Sequence, residues 1–451
     1  MKTKSYEIDM CNGALFPKIL LFSIPLMLSS ILQLLFNAAD MVVVGRFAGS
    51  TALAAVGANA SLINLLTNLF IGFSVGANVL VAKFCGAKRE EEMNRTVHSA
   101  LALSLICGVV LMVFGMLVAP QILTLMGTPD DVLEQAALYI RIYFIGMPVL
   151  LLYNFGSSIL RAVGDTKRPL YYLTAAGFIN ILLNIFFVIG LRLDVAGVAL
   201  ATVISQAVSA ALVFRCMMKM EGGCHVEIGK LRLEKDKVVQ IVRIGIPAGL
   251  QGTVFSLSNV LIQSSVNSFG SVAVAGNTAA SNIEGFIYMA MNAYHQTALS
   301  FSSQNLGAGN YKRIGKVLAE CLAMVTGVGI VLGWAAYLCG AQLLGIYSSD
   351  PRVIEVGLLR LSVICTTYCL CGIMDVLVGA LRGLGYAMMP MVVSLMGACG
   401  FRIVWIFAVF PHYRSLFHLY ISYPISWVLT ASVHILCYMA VRRFQKRGAD
   451  C

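Results

Sequence analysis

Apolar runs of about 20 residues or more recur along the whole chain, separated by short breaks rich in charge, Gly and Pro. A helix rising 1.5 Å per residue needs about 20 such residues to cross a hydrocarbon core of about 30 Å, so each run is a predicted transmembrane helix. Splitting at the breaks predicts twelve helices, over 18–45, 53–82, 96–118, 132–160, 170–190, 195–218, 241–268, 273–303, 315–340, 353–381, 387–410 and 417–441. The first run follows Lys18 and is too long for a signal-peptide core, and it lacks a small-residue cleavage site. It is read as a retained first helix.

Composition agrees. Of 451 residues, 59% are hydrophobic and 12% charged, against roughly 25% charged in a soluble domain. The net charge of +11 could suggest nucleic acid, but Lys and Arg are confined to segments between apolar runs. With both termini in the cytosol, 25 of the 32 fall inside, 4 outside (Arg46, Arg192, Arg352, Arg414) and 3 within helices (Arg141, Arg360, Arg402). This asymmetry is the positive-inside rule of a multi-pass cell-membrane protein, and no nucleic-acid partner is expected. The 13 Cys are scattered. Even Cys365, Cys369 and Cys371 lie in a predicted membrane helix with no histidine nearby, so neither a disulfide framework nor a metal site is expected.

The longest polar stretch, Lys219 to Lys237, lies midway and predicts a cytosolic linker (219–240) between an N-terminal half (1–218) and a C-terminal half (241–451). The halves repeat each other. At an offset of 221 to 222, Pro25 matches Pro247, Asn37 matches Asn259, Ser50 matches Ser271, Gly86 matches Gly307, Gly164 matches Gly385 and Pro169 matches Pro390. Six helices per copy keep both copies in the same orientation. This is the parallel repeat from which some transporters build a cavity between two lobes.

Of 21 acidic residues, all but Asp40, Glu284 and Asp375 can be placed in loops or at helix ends. A carboxylate in hydrocarbon is costly and marks either a functional site or a structural ion pair. Asp40 shares one helix face with Gln33 and Asn37, at i, i+4 and i+7, about 9 Å below Arg46. Asn180 with Asn184 and Thr202 with Gln206 are further i, i+4 pairs, able to surround a carboxylate with neutral oxygens or to bond helix to helix. In the second half, Asp375 matches Asn154, and Glu284 shares a face with Ser281, Tyr288, Met291 and His295. Arg402, midway down its helix, is expected to reach Asp375 or Glu284 as a mainly structural pair. Arg141 reads as an arginine reaching for the interface, which leaves Asp40 without a fixed countercharge. Such an acid must be protonated or hold an exchangeable cation, the requirement for ion coupling. Phe36, Tyr153 and Phe155 in one half, and Tyr288, Met291 and Tyr294 in the other, suit either an adaptable apolar ligand surface or plain packing. Glu90, Glu91 and Glu92 read as a solvated loop.

These residues resemble the multidrug and toxic compound extrusion (MATE) family. The resemblance is carried by Pro25, Asn37-Ala-Ala-Asp40 and Val44-Gly45-Arg46, by Leu160-Arg161-Ala-Val-Gly164-Asp165-Thr-Lys-Arg-Pro169, by Ile283-Glu284, and by Leu381-Arg382-Gly-Leu-Gly385. It implies an all-α membrane protein of two six-helix lobes in a V, a monomer in the cell membrane, exporting small, often cationic, organic compounds against proton or sodium entry with no bound cofactor. It also implies that Asp40, Asn180, Asn184 and Thr202 form a cation site. Part of the family has a second acid where this chain has Asn184, and the NorM-like branch has an acid in the seventh helix, where this chain has Gln251, Phe255 and Asn259. Coupling is therefore expected through the N-terminal half. A lipid-linked precursor flippase is the alternative, but it should line its cavity with several Arg or Lys for phosphate. A membrane enzyme is disfavoured by the lack of any recognisable catalytic motif.

Overall fold

The computed structural model describes residues 6–125 and 128–449, so residues 1–5 and 450–451, which include the termini placed in the cytosol, lie outside the described residues. Among the described residues every regular element is helical. In chain order these are α1 (Leu15–Phe47), α2 (Gly49–Gly86), α3 (Glu90–Leu125), α4 (Asp130–Ile145), α5 (Met147–Ala162), α6 (Lys167–Asn184), α7 (Asp194–Lys219), α8 (Lys235–Asn267) and α9 (Ser271–Gly307). They are followed by α10 (Tyr311–Leu338), α11 (Gly340–Gly345), α12 (Pro351–Ile364), α13 (Cys369–Gly383), α14 (Met388–Ser394), α15 (Phe401–Ala408), α16 (Leu416–Tyr420) and α17 (Ser422–Ala449).

Nine helices among the described residues are long and apolar enough to cross a membrane, and eleven spans result if two bent pairs each count as one. The remaining predicted helix, the eighth (273–303), is α9. Its 37 residues are long enough to cross, but Asn277, Glu284, His295, Gln304 and many serines lower its apolarity, and most of these polar side chains are buried. Predicted helices 4 and 10 are not straight. The first breaks at Gly146 by 50°, where Pro148 removes an amide donor from the following turn. The second bends by 46° between Thr367 and Cys369 and has no proline to mark it.

The chain divides into two compact units. One comprises Met1–Asn12, Leu28–Gly249 and Gly307–Gly309, and the other Gly13–Met27, Leu250–Leu306 and Asn310–Cys451. The divisions within α1 and α8 fall two residues beyond Pro25 and Pro247, a matched pair of the repeat.

Within the first unit, α2 and the start of α8 meet along glycines: Gly72-x-x-x-Gly76 faces Gly245-x-x-x-Gly249. A Cβ on Gly76 would lie 2.2 Å from the Ile241 carbonyl oxygen, and one on Gly72 would lie 2.4 Å from the Gly249 nitrogen. Backbones can approach this closely only without side chains, and in a membrane that approach supplies the packing that the hydrophobic effect does not.

The linker is not a free tether. It folds onto the first turns of α3, where Asn94 donates to the His225 carbonyl (2.8 Å), the Glu227 amide donates to His98 Nε2 (3.1 Å), and Ser99 Oγ bonds both the Arg232 carbonyl and the Glu234 amide (3.2 Å each). Arg95 pairs with Glu234, and Lys237 with Glu92. Lys237 is buried, its ammonium 4.6 Å from the Phe84 ring centre. The expectation of a solvated loop at Glu90–Glu92 is thereby corrected: these acids form the first turn of α3, favourable at a helix N-terminus, and Glu92 fastens the linker.

Both contacts can be tested. Gly76→Ala should force α2 and α8 apart and lower stability by about 1–3 kcal/mol, read as a fall in thermal midpoint, whereas Gly57→Ala, with nothing within 4 Å of the new methyl, should not. Hydrogen bonding from Arg95, then Arg232, holds the Glu234 carboxyl below its usual range. A depressed folded value stabilises docking above the unfolded pKa of about 4.3, and this stabilisation is lost as pH falls through the folded value. Amide exchange over residues 222–234 should accordingly be slow relative to its intrinsic rate at pH 7 and lose that protection below about pH 4; protection unchanged at pH 3 would contradict the electrostatic clasp.

Candidate functional site

In the first unit α6 ends at Asn184 and passes without interruption into a π-helical turn, Ile185–Gly190. Such turns are rare and often mark functional sites. Asn180 and Asn184, one turn apart, are both buried and face α1. Asn184 Nδ2 donates to Asp40 Oδ1 at 2.5 Å and to Asn180 Oδ1 at 3.2 Å, while Asn184 Oδ1 is buried with no partner. From α7, Thr202 faces the same carboxylate, its hydroxyl also donating to the Val198 carbonyl at 2.9 Å. Thus Asp40, Asn180, Asn184 and Thr202 come together, as the sequence pattern suggested.

Tyr139 and Tyr143 of α4, ring centres 6.0 Å apart and nearly parallel, also lie beside Asp40, with Gln206 at the Tyr143 hydroxyl. Sequence reasoning missed both. The available signal was their i, i+4 spacing on the helix that carries Arg141. Tyr153 instead lies toward Ser157 and Arg161, Phe155 is fully buried core, and Asn154 bonds back to the Leu150 carbonyl at 2.9 Å. Gln33 and Asn37 are exposed on α1. Phe36 packs over Gly177, where a Cβ would sit 1.9 Å from its ring, so that glycine admits the aromatic ring next to the carboxylate.

No basic side chain forms an ion pair with Asp40 among the described residues. Apart from the Asn184 amide donor its polar surroundings are neutral oxygens, the ligand type of a proton or a small hard cation. The unpartnered Asn184 Oδ1 fits that donor set, whereas no group of three or more His, Cys, Asp or Glu among the described residues could hold a metal.

The second unit treats its acids differently. Glu284 is buried and bound by both oxygens to Arg360, through Nε at 2.8 Å and Nη2 at 2.7 Å. Arg360 Nη1 reaches Asn277 Oδ1 at 2.6 Å, which also accepts from the Tyr420 hydroxyl at 3.1 Å. Every strong group in this set has a partner, so it is structural. Asp375 faces Tyr288 and the charge of Arg382, and its backbone carbonyl bonds the His295 ring at 2.7 Å. Arg382 donates to the buried Gln251 at 2.7 Å. Met291 is buried beside Gly372, and Asn259 is exposed.

The expectation that Arg402 neutralises Asp375 or Glu284 is overturned. Arg402 forms no ion pair among the described residues; its Nε donates to Ser426 Oγ at 2.9 Å and its guanidinium lies 4.1 Å from the Tyr423 ring centre. Arg360 holds Glu284 instead. Depth along a helix placed Arg402 at mid-membrane but did not give the face it points from.

A bundle of membrane-length helices that holds a carboxylate with no basic partner among the described residues suits a membrane transporter, and known proteins of similar sequence identify which kind. The chain belongs to the MatE family, which matches residues 25–186 and again 247–407, one match per repeat. It is 29% identical over 419 residues to the probable multidrug resistance protein YoeA of Bacillus subtilis, covering 91% of this chain and 90% of that one. It is 25% identical over 380 residues to the FAD transporter of Shewanella oneidensis, covering 83% of each. A crystal structure of MATE in complex with MaL6 shares its fold with a TM-score of 0.92 and 21% identity, over 99% of this chain and 100% of that one. The protein is therefore a multi-pass membrane transporter and not an enzyme.

The two kinds of acid should respond oppositely to neutralisation. Glu284→Gln should lower stability by about 3–5 kcal/mol by stranding Arg360, with partial recovery in Glu284→Gln/Arg360→Met, whereas Asp40→Asn should leave the thermal midpoint unchanged or raised.

Proposed function

We propose that the protein is a secondary antiporter that exports amphipathic, often cationic, organic compounds in exchange for proton or sodium entry, with Asp40 as the coupling group. The observation that carries this is the contrast between Glu284, clamped by an arginine, and Asp40, which meets one neutral amide donor, neutral oxygens and tyrosines. A buried acid without a cation gains most from an arriving proton or sodium ion. A protonated Asp40 could donate to the Asn184 oxygen once that amide turns over, and the Thr202 hydroxyl would be left to Val198. A sodium ion would instead draw on the carboxylate and the oxygens of Asn180, Asn184 and Thr202. Either way charge at Asp40 changes while the fold does not, and a ligand that binds the two access states unequally can then bias which is populated.

The reading places a monomer in the cell membrane with both termini in the cytosol, no cofactor, and alternating access. A flippase reading gains little, because of the three arginines first placed within helices Arg360 is consumed by Glu284 and Arg141 is exposed.

Purified protein in liposomes tests this directly. Export of a fluorescent organic cation should follow an imposed proton or sodium gradient, and Asp40→Asn should bind the cation yet lose gradient-driven export by at least about tenfold. Thr202→Ala should weaken only a sodium-driven rate. Wild-type rates in Asp40→Asn at equal membrane levels would move the coupling role to Asp375.

A further inference from the structure

The repeat gives the residues around Asp40 counterparts in the second unit, and most of the counterparts differ in character. At an offset of 221, Thr202 corresponds to Tyr423, Ser205 to Ser426, Gln206 to Trp427, Asn180 to Phe401 and Ile181 to Arg402, while Asp40, at the offset of 222 that matches Asn37 with Asn259, corresponds to Ile262. Where the first repeat assembles oxygens around a carboxylate, the second assembles aromatic rings around a guanidinium. Arg402 is 3% exposed and lies two residues after a π-helical turn, Leu395–Gly400, whereas Asn184 immediately precedes one. Its guanidinium lies 4.1 Å from the Tyr423 ring centre and 5.8 Å from that of Trp427, and Trp427 is backed by Tyr368 at 5.5 Å. Nε is satisfied by Ser426, but Nη2 is buried with no partner.

The acids of this unit cannot supply that partner. Glu284 gives both oxygens to Arg360, and Asp375 faces Tyr288 and Arg382. Aromatic faces recover part of the desolvation of a guanidinium but offer its N–H groups no acceptor in their plane. A planar carboxylate does, because two parallel N–H donors match its two oxygens.

We propose that the Arg402 cage is a subsite for the carboxylate of amphoteric organic substrates, with Tyr423 and Trp427 stacking on the ring that bears it. The inference rests on the organic-substrate reading above and adds to it a residue that reads the acid of those substrates that carry one.

The probe is a pair of dyes that differ only at this group, a rhodamine free acid and its methyl ester, titrated by fluorescence anisotropy against the full-length protein in lipid nanodiscs. The wild type should bind the free acid more tightly than the ester. Arg402→Gln should weaken the free acid roughly tenfold or more and leave the ester unchanged, and Arg402→Lys should recover part of the loss. Should Arg402→Gln fail to fold, competition on the wild type decides: benzoate should displace the free acid and spare the ester. Equal weakening of both dyes in Arg402→Gln, a free-acid affinity indifferent to Arg402, or benzoate without effect would each overturn the subsite while leaving the efflux reading intact. Failure of the ester itself to bind the wild type would count against the efflux reading and, with it, the subsite.

Discussion

Inside hydrocarbon there is no water to share a proton or screen a charge, so each ionised side chain must find its complement within the protein. The structure can be read as a set of answers to that constraint. Glu284 and Arg360 answer it as a bidentate pair with a hydrogen-bonded surround. Arg402 answers it with aromatic faces and one hydroxyl. Asp40 answers it incompletely, with one amide donor and a ring of oxygens. The chemistry arises from the incomplete answers, because a satisfied pair has no reason to exchange anything. At the aqueous edge the rule relaxes: Arg352 with Asp350 is exposed and adds little, whereas the clasp around Lys237 acts as a network because that lysine is buried.

Much of this was legible in the sequence because a membrane reduces the alternatives. An apolar run of sufficient length has to be a helix, and i, i+4 polar pairs such as Asn180 with Asn184 have to share a face. The repeat was equally plain from Pro25 and Pro247, from which the two family matches begin. The illegible part depends on rotation about helix axes and on where helices depart from regularity. The bend at Gly146 had Pro148 as its signal, but the bend after Thr367 had none. Two π-helical turns each rotate the next stretch of helix by one residue, which no periodicity count anticipates. Arg402 was assigned to the wrong acid for that reason. Arg360 was counted within a helix but given no partner, although its side chain turns inward to Glu284. The Tyr139 and Tyr143 pair was passed over in favour of Tyr153, whose facing differs.

The two repeats share a fold and little chemistry. Asn154, bonded to its own helix, corresponds to Asp375; Tyr139, stacked beside Asp40, corresponds to Arg360. The two scaffolds are equivalent, and different residues at matching positions leave one with an acid that has no basic partner among the described residues and the other with an acid clamped by an arginine. A single change of character at one repeat position, such as Thr202 to Tyr423 beside a guanidinium, is invisible to a fold comparison yet decides which ions a unit tolerates.

The glycine seam between α2 and α8 has a consequence for biosynthesis. A chain emerging from the ribosome presents Gly72 and Gly76 long before Gly245 and Gly249 exist. The groove on α2 is therefore waiting when α8 arrives, and the linker, already bound to α3, delivers the start of α8 to it in register. An error in α2 would therefore be felt as a misplaced start of α8.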